Sequence, residues 1–232
     1  VIFCDVNLDD YSMCLHDLKK KINKKTRLII PVHLYGNPTN VFEIKKLIGK
    51  KNIKIVEDCA QAHGSKINGK HVGTFGDVGT FSFFPGKNLG SFGDGGALIT
   101  NSKKIYNISL RLRNHGAKFK YDHKFSGRNS RLDTIQAGIL NIKLKNYHKV
   151  IKKRNKLARL YFKNLSENKN VKLYKLKPKN IYSLHQFVVR VDISKRDKLI
   201  NYLKKKNIQT MIHYPYMLNE LKFFPKSKNL KK

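Results

Sequence analysis

Three side chains with complementary chemistry lie near the ends of two predicted strands. Asp58 follows the apolar run at 53–57, Ser82 lies in the next strand along the chain, and Lys87 comes five residues later in a turn rich in Pro and Gly. A lysine amine can add to an aldehyde, a hydroxyl can donate to a phosphate, and a carboxylate can keep a pyridine nitrogen protonated. These are the groups that hold pyridoxal phosphate, and together they predict a site for that cofactor.

Each of the three residues also has an ordinary structural interpretation. Asp58 could cap the turn that follows it, and Ser82 could form only a local hydrogen bond in its sheet. Lys87 is one of 40 lysines, but it alone follows a run of phenylalanines and precedes a run of glycines. An apolar setting favours the neutral, nucleophilic form of a lysine amine. The glycines at 90–96 do not form a dinucleotide-binding pattern, because that pattern must follow a strand and open a helix.

An alternation of strands and helices must position these side chains. Short apolar runs separated by amphipathic segments predict a mainly parallel sheet that lies between helices, the arrangement of an α/β protein. Ligands of such sheets bind beyond the carboxyl ends of the strands, which is where Asp58 lies. The predicted strands are 1–6, 27–32, 53–57, 78–83 and 96–100, and the predicted helices are 13–22, 41–49, 102–113 and a long one at 132–164.

The pattern changes after residue 171 to an α+β arrangement. We place a domain boundary near residue 150, with a large cofactor-binding domain at 1–150 and a small α+β domain at 151–232. Because the chain opens directly in an apolar run and closes on an unfinished pattern, we expect it to be a fragment that lacks N- and C-terminal parts. The predicted elements of the small domain are strands 171–174, 184–191 and 208–212 and a helix at 195–206.

Composition limits the partners that this chain can have. Its formal charge is +34, yet only nine of its 49 basic residues are arginine, and the lysines are spread over every predicted helix. This distribution favours a solvated surface over a nucleic-acid site, and it suits anionic substrates such as sugar nucleotides. The three cysteines form no CxxC pair, which is typical of reduced thiols in the cytoplasm. No run approaches the roughly 18 apolar residues of a membrane span.

Blocks of sequence spread over nearly the whole chain are similar to one enzyme family. The block FSFFPGKNL at 81–89 is the most specific, and with the others it resembles the pyridoxal-phosphate-dependent sugar-nucleotide aminotransferases of the DegT/DnrJ/StrS type. The other blocks are PVHLYG at 31–36, EDCAQAHG at 57–64, GTFGD at 73–77, GDGG at 93–96, RNHG at 113–116, NSRLD at 129–133 and IHYP at 212–215.

This resemblance implies a role for each matching residue. Lys87 would form the Schiff base with the cofactor and then carry protons, and Asp58 would pair with the pyridinium nitrogen. Gln61 would lie against the cofactor, and Ser82 would bind its phosphate. Asn129 would reach across a homodimer interface to the phosphate in the partner subunit. The family has the type I fold of pyridoxal-phosphate-dependent transferases, and its usual reaction moves an amino group from glutamate to a keto sugar linked to a nucleoside diphosphate, in amino-sugar and surface-polysaccharide biosynthesis.

The substrate side of the expected site is less complete. His213, Tyr214 and Arg131 are candidate substrate contacts, and Arg131 could instead fix its loop by pairing with Asp133. After Tyr214 the chain departs from the family pattern, which leaves the sugar open. A sugar dehydratase or a cyclitol aminotransferase is therefore an alternative, although the dehydrating branch of the family has His where this chain has Lys87. A non-catalytic sensor or regulator that keeps the fold and binds nucleic acid is an alternative of a different class.

Overall fold

A computed structural model describes residues 1–223. Its helices are α1 Leu15–Lys21, α2 Val41–Ile48, α3 Lys103–Leu112, α4 Thr134–Lys145, α5 Tyr147–Leu165 and α6 Ile193–Lys205. Its strands are β1 Leu28–Ile29, β2 Lys54–Asp58, β3 Lys66–Ile67, β4 Lys70–His71, β5 Val78–Ser82, β6 Gly96–Ile99, β7 Lys172–Leu173, β8 Asn180–Ile181 and β9 Val189–Arg190.

The central sheet has the strand order β1-β2-β5-β6. β1, β2 and β5 run parallel, and β6 pairs antiparallel with β5. A further bridge between Val32 and Asp58 extends the pairing of the first two strands towards their carboxyl ends. The sheet therefore confirms the mainly parallel arrangement and brings the ends of three strands to one edge.

The main core lies between this sheet and α2. Val41, Ile44 and Ile48 follow helical spacing along α2 and are buried, and they meet the buried Ile55 of β2 in one cluster. Because alternate residues of β2 point to opposite faces, this packing leaves Asp58 outside the core while Glu57 is enclosed. At the start of α3, Oγ of Ser102 caps the helix by accepting a hydrogen bond from the N–H of Ile105 at 3.4 Å.

Two predicted strands do not form within residues 1–223. Residues 1–6 make only an isolated bridge between Val6 and Met13, and the side chain of Val1 is fully exposed. Residues 208–212 carry no strand, and the N–H of Ile208 instead closes the end of α6 on the carbonyl of Leu203. Both runs are apolar enough to be strands, but neither has a neighbouring strand to pair with among the described residues.

Two further expectations were too simple. The predicted strand 184–191 is reduced to Val189–Arg190, and Leu184 at the start of the prediction takes a left-handed backbone conformation with φ of 48°. The predicted helix 132–164 is two helices, which meet at Asn146. Between the predicted strands 53–57 and 78–83, β3 and β4 also form a short hairpin.

The C-terminal third contacts the first part of the chain through backbone pairing. β8 pairs antiparallel with β3, so the second sheet has the order β4-β3-β8 and joins residues from either side of the predicted boundary. That boundary near residue 150 falls within α5 and stays a prediction. Among residues 1–223, no helix is both long and apolar enough to cross a membrane.

Candidate active site

The carboxylate of Asp58 and the hydroxyl of Ser82 lie on one face of the sheet at the ends of adjacent strands. Asp58 is paired with Thr80 in the parallel register of β2 and β5, and Ser82 shares the face of Thr80 because side chains alternate. Oδ1 of Asp58 accepts a hydrogen bond from the N–H of Ala60 at 2.9 Å. Oγ of Ser82 accepts one from the N–H of Phe84 at 3.3 Å, so the hydroxyl proton stays available for a ligand.

Asp58 thus does part of what its ordinary interpretation predicted. Its Oδ1 holds the turn that follows β2, and no described residue donates a hydrogen bond to Oδ2. The side chain is half-buried at the strand end. One oxygen anchors the carboxylate, and the other can accept a proton-bearing group from a ligand.

Lys87 lies in the loop that connects β5 to β6. The loop is closed by hydrogen bonds from the N–H of Lys87 to the carbonyl of Phe84 at 2.9 Å and from the N–H of Ser91 to the carbonyl of Phe83 at 2.8 Å. A Cβ at Gly90 would lie 2.5 Å from the carbonyl oxygen of Pro85, so only glycine permits this close approach. No described residue accepts a hydrogen bond from Nζ of Lys87, whose side chain is half-buried.

Gln61 joins the strand end to the C-terminal part of the chain. Its Oε1 accepts a hydrogen bond from the N–H of Tyr35 at 2.5 Å, and its Nε2 donates to the hydroxyl of Tyr214 at 2.8 Å. The hydroxyl of Tyr35 in turn donates to the carbonyl of His213 at 2.6 Å. The structure therefore brings Gln61, His213 and Tyr214 together, and their roles as cofactor and substrate contacts stay predictions.

Asn129 and Arg131 lie at the end of a hairpin formed by residues 114–129. Asn129 forms an isolated antiparallel bridge with Asn114, and its side chain is exposed. Nη1 of Arg131 donates to Oδ1 of Asn114 at 3.0 Å. Asp133, the alternative partner expected for Arg131, is not the partner found. The guanidinium fixes the hairpin through the side-chain amide of Asn114 instead of a carboxylate.

Beneath the site, Glu57 and His33 form a fully buried pair. Nε2 of His33 lies 2.9 Å from Oε2 of Glu57, and Nδ1 of His33 accepts a hydrogen bond from the N–H of Thr39. Because Nδ1 accepts, the proton of the neutral ring is on Nε2 and is donated to Glu57. The carboxylate also accepts three backbone N–H groups, those of residues 73, 75 and 76. Burial alone would raise the pKa of Glu57, but the hydrogen bonds from His33 and the backbone outweigh it and lower the pKa.

This pair fixes the base of the site without being part of it. Glu57 has a structural role, since its side chain has no exposure. Cys59 also lies within 4.8 Å of both groups. A metal ion is excluded by hydrogen bonding there, since both nitrogens of His33 and both oxygens of Glu57 are already engaged. Burial, with the charges of Glu57 and Asp58, raises the pKa of the Cys59 thiol.

Two histidines lie near the charge of Lys87. His63 is buried beside the rings of Phe81 and Phe83. Burial lowers the pKa of His63 to about 4. The backbone of Ser82 opposes this lowering in part, and the positive charge of Lys87 adds to it. Burial likewise lowers the pKa of His185 to about 4, with further lowering by Lys87. The sequence drew attention to His63 by its block, but nothing local distinguishes His185, which lies in a predicted strand.

Comparison with known proteins identifies the family. A sequence profile of the DegT/DnrJ/EryC1/StrS aminotransferase family matches residues 1–232. The chain belongs to this family. Among members of the aminotransferase family, the dTDP-3-amino-3,6-dideoxy-alpha-D-galactopyranose transaminase of Aneurinibacillus thermoaerophilus is 41% identical over 214 residues, which are 92% of this chain and 58% of that protein.

Other relatives extend this comparison in sequence and in structure. A pleiotropic regulatory protein of Geobacillus stearothermophilus is 38% identical over 222 residues, 94% of this chain and 59% of its own length. The crystal structure of S. venezuelae DesV in complex with a ketimine intermediate superimposes with a TM-score of 0.91 at 36% identity, over 95% of this chain and 59% of that one. The likeness confirms the predicted aminotransferase fold, and this chain spans under two thirds of the length of these relatives.

Proposed function

We propose that this protein is an aminotransferase that uses pyridoxal phosphate to convert the ketone of a nucleotide-linked sugar into an amine. The observation that carries the proposal is the grouping of an unpaired carboxylate oxygen of Asp58, an available hydroxyl proton of Ser82 and an unengaged amine of Lys87 around the carboxyl ends of β2 and β5.

The chemistry of this donor set fits pyridoxal phosphate. The cofactor needs an anion at its pyridine nitrogen, donors at its phosphate and an amine at its aldehyde. Asp58, Ser82 and Lys87 supply one of each. Ala60, directly after the strand, presents only a methyl group, so a flat ring can approach the turn. Gln61 is held by Tyr35 and Tyr214 in one amide orientation, and it is the expected neighbour of the ring.

Pyridoxal phosphate, when bound, supplies an electron sink that stabilises negative charge at the substrate carbon. The amine of Lys87 would hold the aldehyde group of the cofactor and, once released by the amino donor, would act as the base that moves the proton of the substrate carbon. Asp58 holds a proton on the pyridine nitrogen, which keeps the ring able to withdraw electrons. Ser82 orients the cofactor by its phosphate. Glutamate is the proposed donor: it leaves as 2-oxoglutarate, whose keto oxygen comes from one water, and the ketone oxygen of the sugar leaves as another, so that the overall exchange consumes no water.

The substrate and the assembly are finer parts of the proposal. The transaminase relative is named for a dTDP-linked amino sugar, which supports a nucleotide sugar as the substrate class. Arg131, His213 and Tyr214 are the proposed contacts for it. The exposed side chain of Asn129 supports a homodimer with shared sites, in which this side chain serves the partner subunit. A cytoplasmic location rests on the three free cysteines.

A regulator is the second candidate, because one relative is named a pleiotropic regulatory protein. Visible absorption spectra of the full-length protein with pyridoxal phosphate, before and after glutamate, separate the two. An aminotransferase shows the band of a lysine-bound cofactor, and glutamate removes it. A stable band that glutamate leaves unchanged, together with DNA binding that falls steeply with salt, supports the regulator. No band at all contradicts the proposed cofactor.

A further inference from the structure

The residue after Lys87 is held from the C-terminal part of the chain by two hydrogen bonds. Nδ2 of Asn88 donates to the carbonyl of Ser183 at 2.8 Å. Oδ1 of Asn88 lies 3.1 Å from Nδ1 of His185. The side chain of Asn88 is therefore engaged at both its donor and its acceptor, across about 95 residues of sequence.

These contacts fix a protonation state. A carbonyl only accepts, so the Ser183 contact requires the amide nitrogen of Asn88 to face it. The amide oxygen then faces His185, whose Nδ1 must carry the proton that it donates. At neutral pH the ring is uncharged, because burial and the nearby Lys87 lower the pKa of His185 to about 4. The neutral ring is thus the Nδ1–H tautomer, and its other nitrogen carries a lone pair.

The segment that grips Asn88 is itself anchored. Ser183 is fully buried, its N–H donates to Oγ of Ser65 at 3.0 Å, and its Oγ donates to the carbonyl of Gln61 at 3.0 Å. Nη1 of Arg154, on α5, donates to the carbonyl of Leu184 at 2.8 Å. The groups that hydrogen-bond to Asn88 therefore belong to a segment that is itself bonded both to the strand end bearing the site and to the long helix α5.

We propose that Asn88 and His185 are positioning residues for Lys87. The Nδ1–H of His185 and the carbonyl of Ser183 hold the side-chain amide of Asn88, and this sets the position of the Lys87 amine. The role rests on the proposed function of Lys87. The backbone N–H of Lys87 bonds within its own loop, to Phe84, whereas the Asn88 side chain ties the loop to residues 183–185. The other hydrogen bonds of the loop, at Gly90 and Phe92, go to α4. Misplacement by about 1 Å can cost roughly 100-fold in rate.

A pair of substitutions at one position tests the proposal. The amide nitrogen of Asn can stand where Nδ1 of His185 stands, whereas that of Gln reaches the position of the other ring nitrogen. His185→Asn is expected to keep the grip on Asn88 and stay within about threefold of wild-type kcat, while His185→Gln and Asn88→Ala lose roughly tenfold or more in kcat with little change in KM. His148→Gln, an exposed histidine on the same protein, is the control for the substitution itself.

Two further readouts distinguish positioning from simple loss of stability. The pH midpoint of the lysine-bound cofactor band is expected to shift in His185→Gln and to match the wild type in His185→Asn. Nitrogen-15 NMR of the protein without cofactor is expected to show His185 as the Nδ1–H tautomer in the wild type and to lose that state in Asn88→Ala. Equal behaviour of the Asn and Gln variants, or a Nε2–H tautomer in the wild type, would overturn the proposal. If the wild type binds no cofactor, the proposed function is wrong. The NMR result still shows, independently, whether His185 donates a hydrogen bond to Asn88.

Discussion

Gln61 and Tyr214, which are 153 positions apart, share a hydrogen bond of 2.8 Å. It is the direct link between the strand end that carries Asp58 and the turn that carries the candidate substrate contacts. Tyr35 completes the link, because its N–H and its hydroxyl reach Gln61 and His213 respectively. The residues proposed for the cofactor side and for the substrate side are therefore joined by hydrogen bonds.

Replacing Tyr214 with Phe tests that link. The hydroxyl of Tyr214 is the acceptor for Nε2 of Gln61, and its removal is expected to cost about 1 kcal/mol of unfolding free energy or less, since the tyrosine is largely exposed. Without that hydrogen bond the Gln61 amide is less fixed, and we expect the affinity for the cofactor to fall several-fold. Titration of the visible cofactor band measures the affinity. Tyr216→Phe, at a similarly exposed neighbour, is the control, and equal effects of the two substitutions would refute the link.

Glu57→Gln is expected to unfold the base of the site. The carboxylate accepts four hydrogen bonds in a fully buried position, and an amide would turn a donor towards some of those N–H groups. The expected loss is about 3 kcal/mol or more of unfolding free energy, measured by urea denaturation. Glu43→Gln changes an exposed carboxylate that is paired only with Lys46, and it is expected to cost less than about 0.5 kcal/mol. Comparable losses in both variants would show that the buried network contributes little.

His63 makes stability depend on pH in a defined window. Its pKa is lowered from 6.5 to about 4 in the folded protein, so between these values the unfolded chain binds a proton that the folded chain does not. Stability is therefore full above pH 6.5 and is lost as pH falls towards 4, by roughly 3 kcal/mol from this residue. Urea midpoints over this range are expected to fall less steeply in His63→Leu than in the wild type. A parallel pH profile in the variant would contradict the assignment, and His148→Gln is the surface control.

Gly90→Ala is expected to disturb the Lys87 loop. A methyl group there would lie 2.5 Å from the carbonyl oxygen of Pro85, and the backbone cannot yield as a flexible side chain could. We expect a loss of at least tenfold in kcat, and a loss of stability of about 1–3 kcal/mol. Gly138 on α4 is the matched control, because a Cβ there meets nothing within 4 Å, and Gly138→Ala is expected to be neutral or slightly stabilising. Similar outcomes at both glycines would show that the tight turn is unimportant.

Much of this architecture could be predicted from local sequence. Apolar runs predict the parallel core strands, and helical spacing predicts α2. The placement of the Asp58 and Ser82 side chains follows from the alternation of side chains along a strand. The failures have a common cause, since strands at 1–6 and 208–212 need a partner strand that local pattern cannot supply. Leu184, the first residue of the predicted strand 184–191, takes a left-handed conformation that its residue type does not signal.

The site shows the same division between local and long-range information. Lys87 and its flanking block were recognisable, whereas the hold of His185 on Asn88 spans 97 positions and has no local signal. The partner of Arg131 is Asn114 instead of Asp133, because the hairpin brings a distant amide closer than the neighbouring carboxylate. Contacts between segments, which fix orientation, are what sequence patterns leave undetermined.

The most direct test of the central claim is to find which lysine carries the cofactor. The full-length protein, incubated with pyridoxal phosphate and reduced with borohydride, is digested, and the labelled peptide is identified by mass spectrometry. We predict a single pyridoxyl group on Lys87 among the 40 lysines, and no visible cofactor band in Lys87→Ala. A label on another lysine, or a label spread over surface lysines with an unchanged band in Lys87→Ala, would contradict the proposed active site.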